Sequence, residues 1–279
     1  MNPAAELRER IERLAAAGDP PAEEVRPAVS GLLDALERGD VRAASPSGDG
    51  WVVHPWIKTG ILLGFRAGVV VPMPPAGPLE FRDKEFFPPR PLSGLEAVRV
   101  VPGGSAIRRG AFVGRGTVLM PPCYVNVGAY VGERSMIDSH ALVGSCAQLG
   151  EGIHLSAGAQ VGGVLEPPGA MPVIVEDGAF VGALSAVLEG VQVGRRAVIG
   201  AGVVLTASTP VYDLPNRRRI RPGEDGVLRI PAGAVVVAGA RAPSDPWARG
   251  QGLALSAALI VKRRDERTDA RAALEDALR

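Results

Sequence analysis

Two cysteines in 279 residues, Cys123 and Cys146, with no CxxC pair, leave no material for a disulfide framework or a cysteine-based zinc site. Aromatic residues make up only 4%, too few for an ordinary aromatic-rich core. Charge of one sign is lacking too: 31 Lys and Arg against 30 Asp and Glu give a net +1, which offers nothing to nucleic acid or an anionic membrane. A long hydrophobic run is also missing. The longest apolar stretch, "GILLGFRAGVVVPMPPAG", is broken by Arg66 and prolines, too short and too interrupted to span a bilayer. The N-terminal "MNPAAELRERIERL" is charged and has no apolar segment, so no signal peptide is expected and the cytoplasm is the expected compartment.

What is abundant is glycine (36) and proline (25), which argue for many tight turns. Disorder would need few apolar residues, yet hydrophobic content is 46% and Val/Leu/Ile-rich stretches run through most of the chain. Residues 1–98 read as a mixed helical domain. Leu7, Ile11 and Leu14 sit at helical spacing, as do Val29, Leu32, Leu33 and Leu36, with Gly39 as a stop. "DGWVVHPWIKTGILLGF" reads as a short strand and a third apolar helix, with Trp51 and Trp56 in the core; "VPMPPAGPLEFRDKEFFPPRP" reads as a connector without periodicity.

Residues 99–240 carry the strongest pattern. Val101, Ile107, Val113, Leu119, Val125, Val131, Ile137, Val143, Leu149, Leu155 and Val161 are spaced by six. After a gap of fourteen, which reads as two inserted residues, Val175, Val181, Val187, Val193, Ile199 and Leu205 resume the period. A small residue recurs four positions after each aliphatic, and glycine often follows it directly, where turns of positive φ account for it. Six fits neither the helical period nor the strand period. It fits a chain that turns a corner every six residues, three sides to a coil, with coils stacked at the strand spacing of about 4.8 Å. The fold is therefore mainly β: a hexapeptide-repeat parallel β-helix with an inserted loop at 163–174. In residues 241–279 "GLALSAALIVKRR" reads as a strand and "TDARAALEDALR" as a terminal helix capped by Thr268.

A purely structural β-helix would need neither the inserted loop nor the preceding domain. A zinc hydratase would need three histidine ligands, but His140 and His154 are fourteen apart, in different phases of the repeat, and His54 lies in the first domain; no metal is expected. A sugar-nucleotide transferase would want a glycine-rich phosphate loop near the N-terminus, and none is present. Acyl transfer from a CoA thioester, the usual chemistry of this architecture, remains, by analogy of fold alone.

Several motifs go further. "LERGDVRAA" with "GWVVHPWIKTGILLGFR", "MIDSHALVGSCAQLGEGIHLSAGAQVGGVLEP", "VLTASTPVYDL", "IPAGAVVVAGA" and "ALIVKRRD" resemble the tetrahydrodipicolinate N-succinyltransferases of lysine and diaminopimelate biosynthesis. The resemblance runs from about Glu37 to the end. It implies a homotrimer of left-handed β-helices with active sites between subunits, and transfer of succinyl from succinyl-CoA, as co-substrate, to the amino group of the ring-opened 2-amino-6-oxopimelate. No bound cofactor, nucleic-acid or membrane partner is implied. Arg99 matches the family's carboxylate-binding arginine and Asp138 its substrate-binding and catalytic aspartate. The pattern departs at Leu184 and Ala186, where the family has an arginine and a glutamate, and "AVLEGVQVG" is nearer to N-acetyltransferases of the same pathway. N-acetyl transfer is thus the alternative activity, and a non-catalytic scaffold the alternative of another class.

The chemistry fits these residue types. Amide formation from a thioester needs a neutral amine, so a base must take a proton, and a carboxylate in a partly desolvated cleft suits that task. Ile137 faces the core, so Asp138 faces out; an aspartate that merely caps a turn is the plain alternative. Glu189 is a second, weaker acid/base candidate. Arg99 suits a dicarboxylate because a guanidinium pairs a carboxylate with two parallel hydrogen bonds; Arg108, Arg109 and Arg115 read as surface residues. The amides of CoA are expected near Gly162, Gly163 and Ala183, and its phosphates near Lys262, Arg263 and Arg264, a cluster that reads equally as solvated. "GGVLEPPGAMP" is expected to form a lid, and Cys146 to be structural.

Overall fold

The computed structural model describes residues 3–48, 50–76 and 79–265. From Arg99 to Val236 the chain winds as a left-handed parallel β-helix whose sides are mostly two-residue strands. Each inward aliphatic pairs with its counterpart one coil on: Val113 with Val131 on the first face, Leu119 with Ile137 on the second, Val125 with Val143 on the third. Ile137, Val143, Leu149, Leu155 and Val161 are fully buried, and with the small residues of each corner they form one continuous core.

Three details differ from the sequence reading. Val101 is not in phase. On the second face it is Val100 that pairs with Leu119, so the opening coil is one residue longer, and Gly103 and Gly104, at φ of 141° and 94°, take up the excess. The insertion after Val161 is eight residues, not two: Val161 and Val175 lie on consecutive faces, and a six-residue period reveals an insertion only to within a multiple of six. The glycines directly after the aliphatics do not have positive φ. That conformation falls two residues later, at Gly116 and Gly158 but also at Arg134, His140, Cys146 and Leu184.

What requires glycine directly after the aliphatic is close approach of the next coil. A Cβ on Gly144 would lie 2.2 Å from the Gly163 nitrogen, and one on Gly132 2.4 Å from the Gly150 oxygen. Gly144→Ala is expected to lower stability by about 1–3 kcal/mol, the cost of overpacking. Gly152→Ala, which meets only the cost of its φ of 62°, is the control. Thermal melts of the two variants check this: equal losses would mean that coil spacing is not the reason for Gly144.

Three helices precede the β-helix: α1 (Pro3–Ala16), α2 (Ala22–Arg38) and α3 (Pro55–Ala67). Gly39 ends α2 in the left-handed conformation, its N–H bonded to the Ala35 and Leu36 carbonyls. Val29, Leu32, Leu33, Ile57 and Ile61 form a second core that extends onto the β-helix through Val127 and Cys146. Trp56 belongs to it; Trp51 is only half-buried, its indole donating to Glu176 at 3.0 Å. The expected connector is instead a hairpin, with Val70–Ala76 antiparallel to Leu79–Lys84. Its prolines are tolerated because the ribbon has only two strands, hence only edges. At the other end Leu255–Arg263 forms the expected strand, pairing with Ala234–Arg241 and with Val211–Asp213. The helix expected from Thr268 lies outside the described residues. Among the described residues no helix is long and apolar enough to cross a membrane.

Candidate active site

Asp138 stands at the corner between the second and third faces, directly after the buried Ile137. Down this corner the position holds Met120, Asp138 and Ser156 on successive coils, then reverts to Gly182 and Gly200. Three successive coils thus carry side chains in a slot that is often glycine at the other corners. Asp138 is half-buried, and its Oδ1 accepts from the Ser139 amide at 2.7 Å. Among the described residues it has no ion-pair partner. Ser156 beside it is 8% exposed, and its hydroxyl has no hydrogen-bond partner among the described residues. Sequence reasoning passed over Ser156; the signal was a serine in the slot one coil after Asp138.

Arg99 is exposed on the outer side of the second face. Its strand pairs with Val118, and Val118 with Met136, so Arg99 lies in register with Met136 two rungs away, two residues before the Asp138 corner. At the strand spacing this is about 10 Å. Arg108 and Arg109 are not the surface residues expected. Arg108 is largely buried and ion-paired with Asp83, donating also to Asn126; Arg109 reaches Asp34 and Ser30 on α2. They hold the hairpin and the helices to the first coil.

A cleft of about 710 Å³ opens at the corner between the third and first faces. Gly162, Gly163 and Glu189 line it together with the inserted loop, including Glu166 and Met171. The loop borders this cleft, as a lid would. Glu189 has φ of 54° and accepts from the Ala207 amide at 3.1 Å, the geometry of a turn residue. The other acyl-donor candidates lie elsewhere. Ala183 is on the Asp138 corner, two coils further on. Lys262 is paired with Asp265 at 2.8 Å, and Arg263 lies 3.5 Å from the buried Asp213. Ala186 points outward from the third face, between Gln160 and Val204.

The histidines are dispersed. His54 bonds Ser45, His140 occupies a left-handed corner, and His154 stands edge-on to Phe180. Both cysteines are buried, and burial pushes the Cys146 thiol up to about 12. Burial also raises Cys123, and the neighbouring Asp138 carboxylate adds to it. Against an ordinary thiol Cys146 has roughly a thousandfold less thiolate. Neither should react with a thiol reagent until the protein is denatured, which a colorimetric titration with and without denaturant checks; fast labelling of the native protein would contradict the burial.

Comparison with known proteins adds kinship to geometry. The family profile described as tetrahydrodipicolinate N-succinyltransferase N-terminal matches residues 6–67, and that of the hexapeptide repeat of succinyl-transferase matches residues 172–207. The chain is 43% identical over 263 residues to the 2,3,4,5-tetrahydropyridine-2,6-dicarboxylate N-succinyltransferase of Polynucleobacter asymbioticus, covering 92% of this chain and 90% of that one. It is 44% identical over 267 residues to the protein of the same name from Acinetobacter baylyi, covering 94% and 92%. Among solved structures, a Campylobacter jejuni chain described as a 2,3,4,5-tetrahydropyridine-2-carboxylate N-succinyltransferase shares the fold, with a TM-score of 0.53 at 20% identity, over 83% of this chain and 62% of that one.

Proposed function

The chain belongs to the tetrahydropyridine-2,6-dicarboxylate N-succinyltransferase family, and from that premise we propose that it moves succinyl from succinyl-CoA to the amino group of ring-opened tetrahydrodipicolinate, in the cytoplasm, on the route to diaminopimelate and lysine. The observation that carries this reading is the identity of more than 40% over more than nine-tenths of the chain, on both sides of the repeat. The geometry supports it with an outward carboxylate, Asp138, at the edge of the face whose first rung carries Arg99. A diacid of pimelate length can reach from one to the other.

In this reading the amine nitrogen attacks the thioester carbon, forming the N–C bond. Asp138 accepts the proton the nitrogen loses, the C–S bond breaks, and CoA leaves as thiolate and takes up a proton. Arg99 fixes the far carboxylate, so that the nitrogen arrives already oriented. CoA lies along the corners that flank the third face, near Ala183 on one side and Gly162 and Gly163 on the other.

That third face is also where we place the subunit contact. Tyr124 and Val204 are exposed on it at 36% and 53%, with Leu142, Gln160 and Ala186 in the row between them, and Leu184 beside it is exposed at 76%. A second copy seated there would bring the two flanking corners of neighbouring subunits together into one cleft. Light scattering at micromolar concentration is expected to give three times the 28.9 kDa of one chain. A monomer would leave the cleft without its second wall.

The activity is tested by incubating the protein with tetrahydrodipicolinate and either succinyl-CoA or acetyl-CoA while following free thiol. The inaccessibility expected of Cys123 and Cys146 keeps the signal that of released CoA. Thiol release with succinyl-CoA is expected. Turnover with acetyl-CoA alone would move the chain to the acetyl donor, and none with either would favour a scaffold.

A further inference from the structure

Helix α3 is buried nearly all round, and the largest of its fully buried side chains is a cation. Lys58 has no exposed surface, and its Nζ donates to the Ala170 carbonyl at 2.6 Å. Among the described residues no carboxylate pairs with it. Burial lowers its pKa from the ordinary value. An ammonium withdrawn from water costs several kcal/mol unless its surroundings compensate, so packing alone gives no reason for a lysine here.

The contact crosses from the helical domain to the inserted loop. The same loop sends Leu165 against the helical core. Its next carbonyl, that of Met171, sits where a Cβ on Gly190 would lie 2.6 Å away, one residue from Glu189. Lys58, Ala170, Met171 and Gly190 thus form a continuous line from α3 to the wall of the cleft.

We propose that Lys58 is a positioning residue that clasps the inserted loop down as the wall of the acyl-donor cleft. This rests on reading the cleft around Gly162, Gly163 and Glu189 as the donor's. Lys58 touches no substrate; it acts through the Ala170 carbonyl. Without the ammonium the loop leaves Gly190 and the donor loses one side of its channel.

Lys58→Met keeps the length of the side chain and removes the charge. Removing the ammonium relieves its desolvation cost but leaves the Ala170 carbonyl without a donor, so the two effects offset and melting should change little. As the loop loosens, exchange of the Ala170 amide, which donates to the Pro167 carbonyl within the loop, should accelerate, and the KM for succinyl-CoA should rise about tenfold or more while that for the diacid moves less than about twofold. A folded variant with unchanged exchange overturns the role of the lysine. Faster exchange with an unmoved succinyl-CoA KM instead overturns the donor reading of the cleft. If Lys58→Met does not fold, Leu165→Ala serves: Ala170 should stay protected there because Lys58 still holds it, and loss of that protection overturns the proposal.

Discussion

Asp138→Asn is expected to leave the melting temperature and the subunit assembly unchanged while kcat falls by about 10²–10⁴, the loss typical of a missing general base. The structure says why folding should not respond. Among the described residues the one hydrogen bond of the Asp138 side chain runs from the Ser139 amide to its Oδ1, and the amide oxygen of asparagine accepts it equally well, as in other turns of this kind. If that turn were the whole role of Asp138, activity would survive as well. The two readings agree on stability and part only on turnover. Among the described residues no second carboxylate stands on this corner to take over the proton. Ala186 brings no carboxylate to the third face, and Glu189 sits at the other corner with an oxygen on the Ala207 amide. A variant that melts normally and keeps half of the parent kcat would end the general-base assignment, since that loss is far smaller than the range for a base.

The β-helix was legible because one physical constraint recurs seventeen times. Every coil needs an aliphatic at the same place, so the pattern survives variation elsewhere. The limits of that reading come from the same source. A periodic signal fixes phase but not how many turns separate two segments, so the eight-residue insertion read as two. Val101 continued the spacing on paper, but Gly103 and Gly104 add a residue and hand its place to Val100. Glycine marked the right slot for the wrong reason: the sequence cannot distinguish a residue needing positive φ from one needing no Cβ. At Gly144 it is the Gly163 backbone 2.2 Å away that decides.

The candidate site was legible in part. Asp138 stood out because it broke the glycine rule, and the structure gives that break a column, Met120, Asp138 and Ser156. Arg108 and Arg109 were indistinguishable by sequence from free surface cations, because their partners Asp83 and Asp34 are distant in the chain. Lys58 was hidden by its setting, one charge inside the apolar "HPWIKTGILLGF". Its partner is a backbone carbonyl 112 residues away, which no side-chain pattern records.

Arg99→Ala is expected to raise the KM for the dicarboxylate about ten- to hundredfold, as for a charge-assisted pair, and the KM for succinyl-CoA less than about twofold. Specificity is what makes this informative. Arg99 occupies the exposed first rung of the second face, ahead of the glycines that lengthen the coil, while Arg108 and Arg109 join the hairpin and α2 to the first coil through Asp83 and Asp34. Truncating Arg109 should therefore loosen the attachment of α2 and lower the melting temperature, with little effect on either KM. Truncating Arg99 should do the reverse. Arg99→Lys refines the point, because lysine keeps the charge but not the planar fork that pairs both carboxylate oxygens. An intermediate KM is expected, with kcat recovering less fully if the fork also orients the amine toward the thioester. Should Arg99→Ala instead weaken both substrates equally, the guanidinium is not at the carboxylate, and the diacid must be anchored by cations from another subunit.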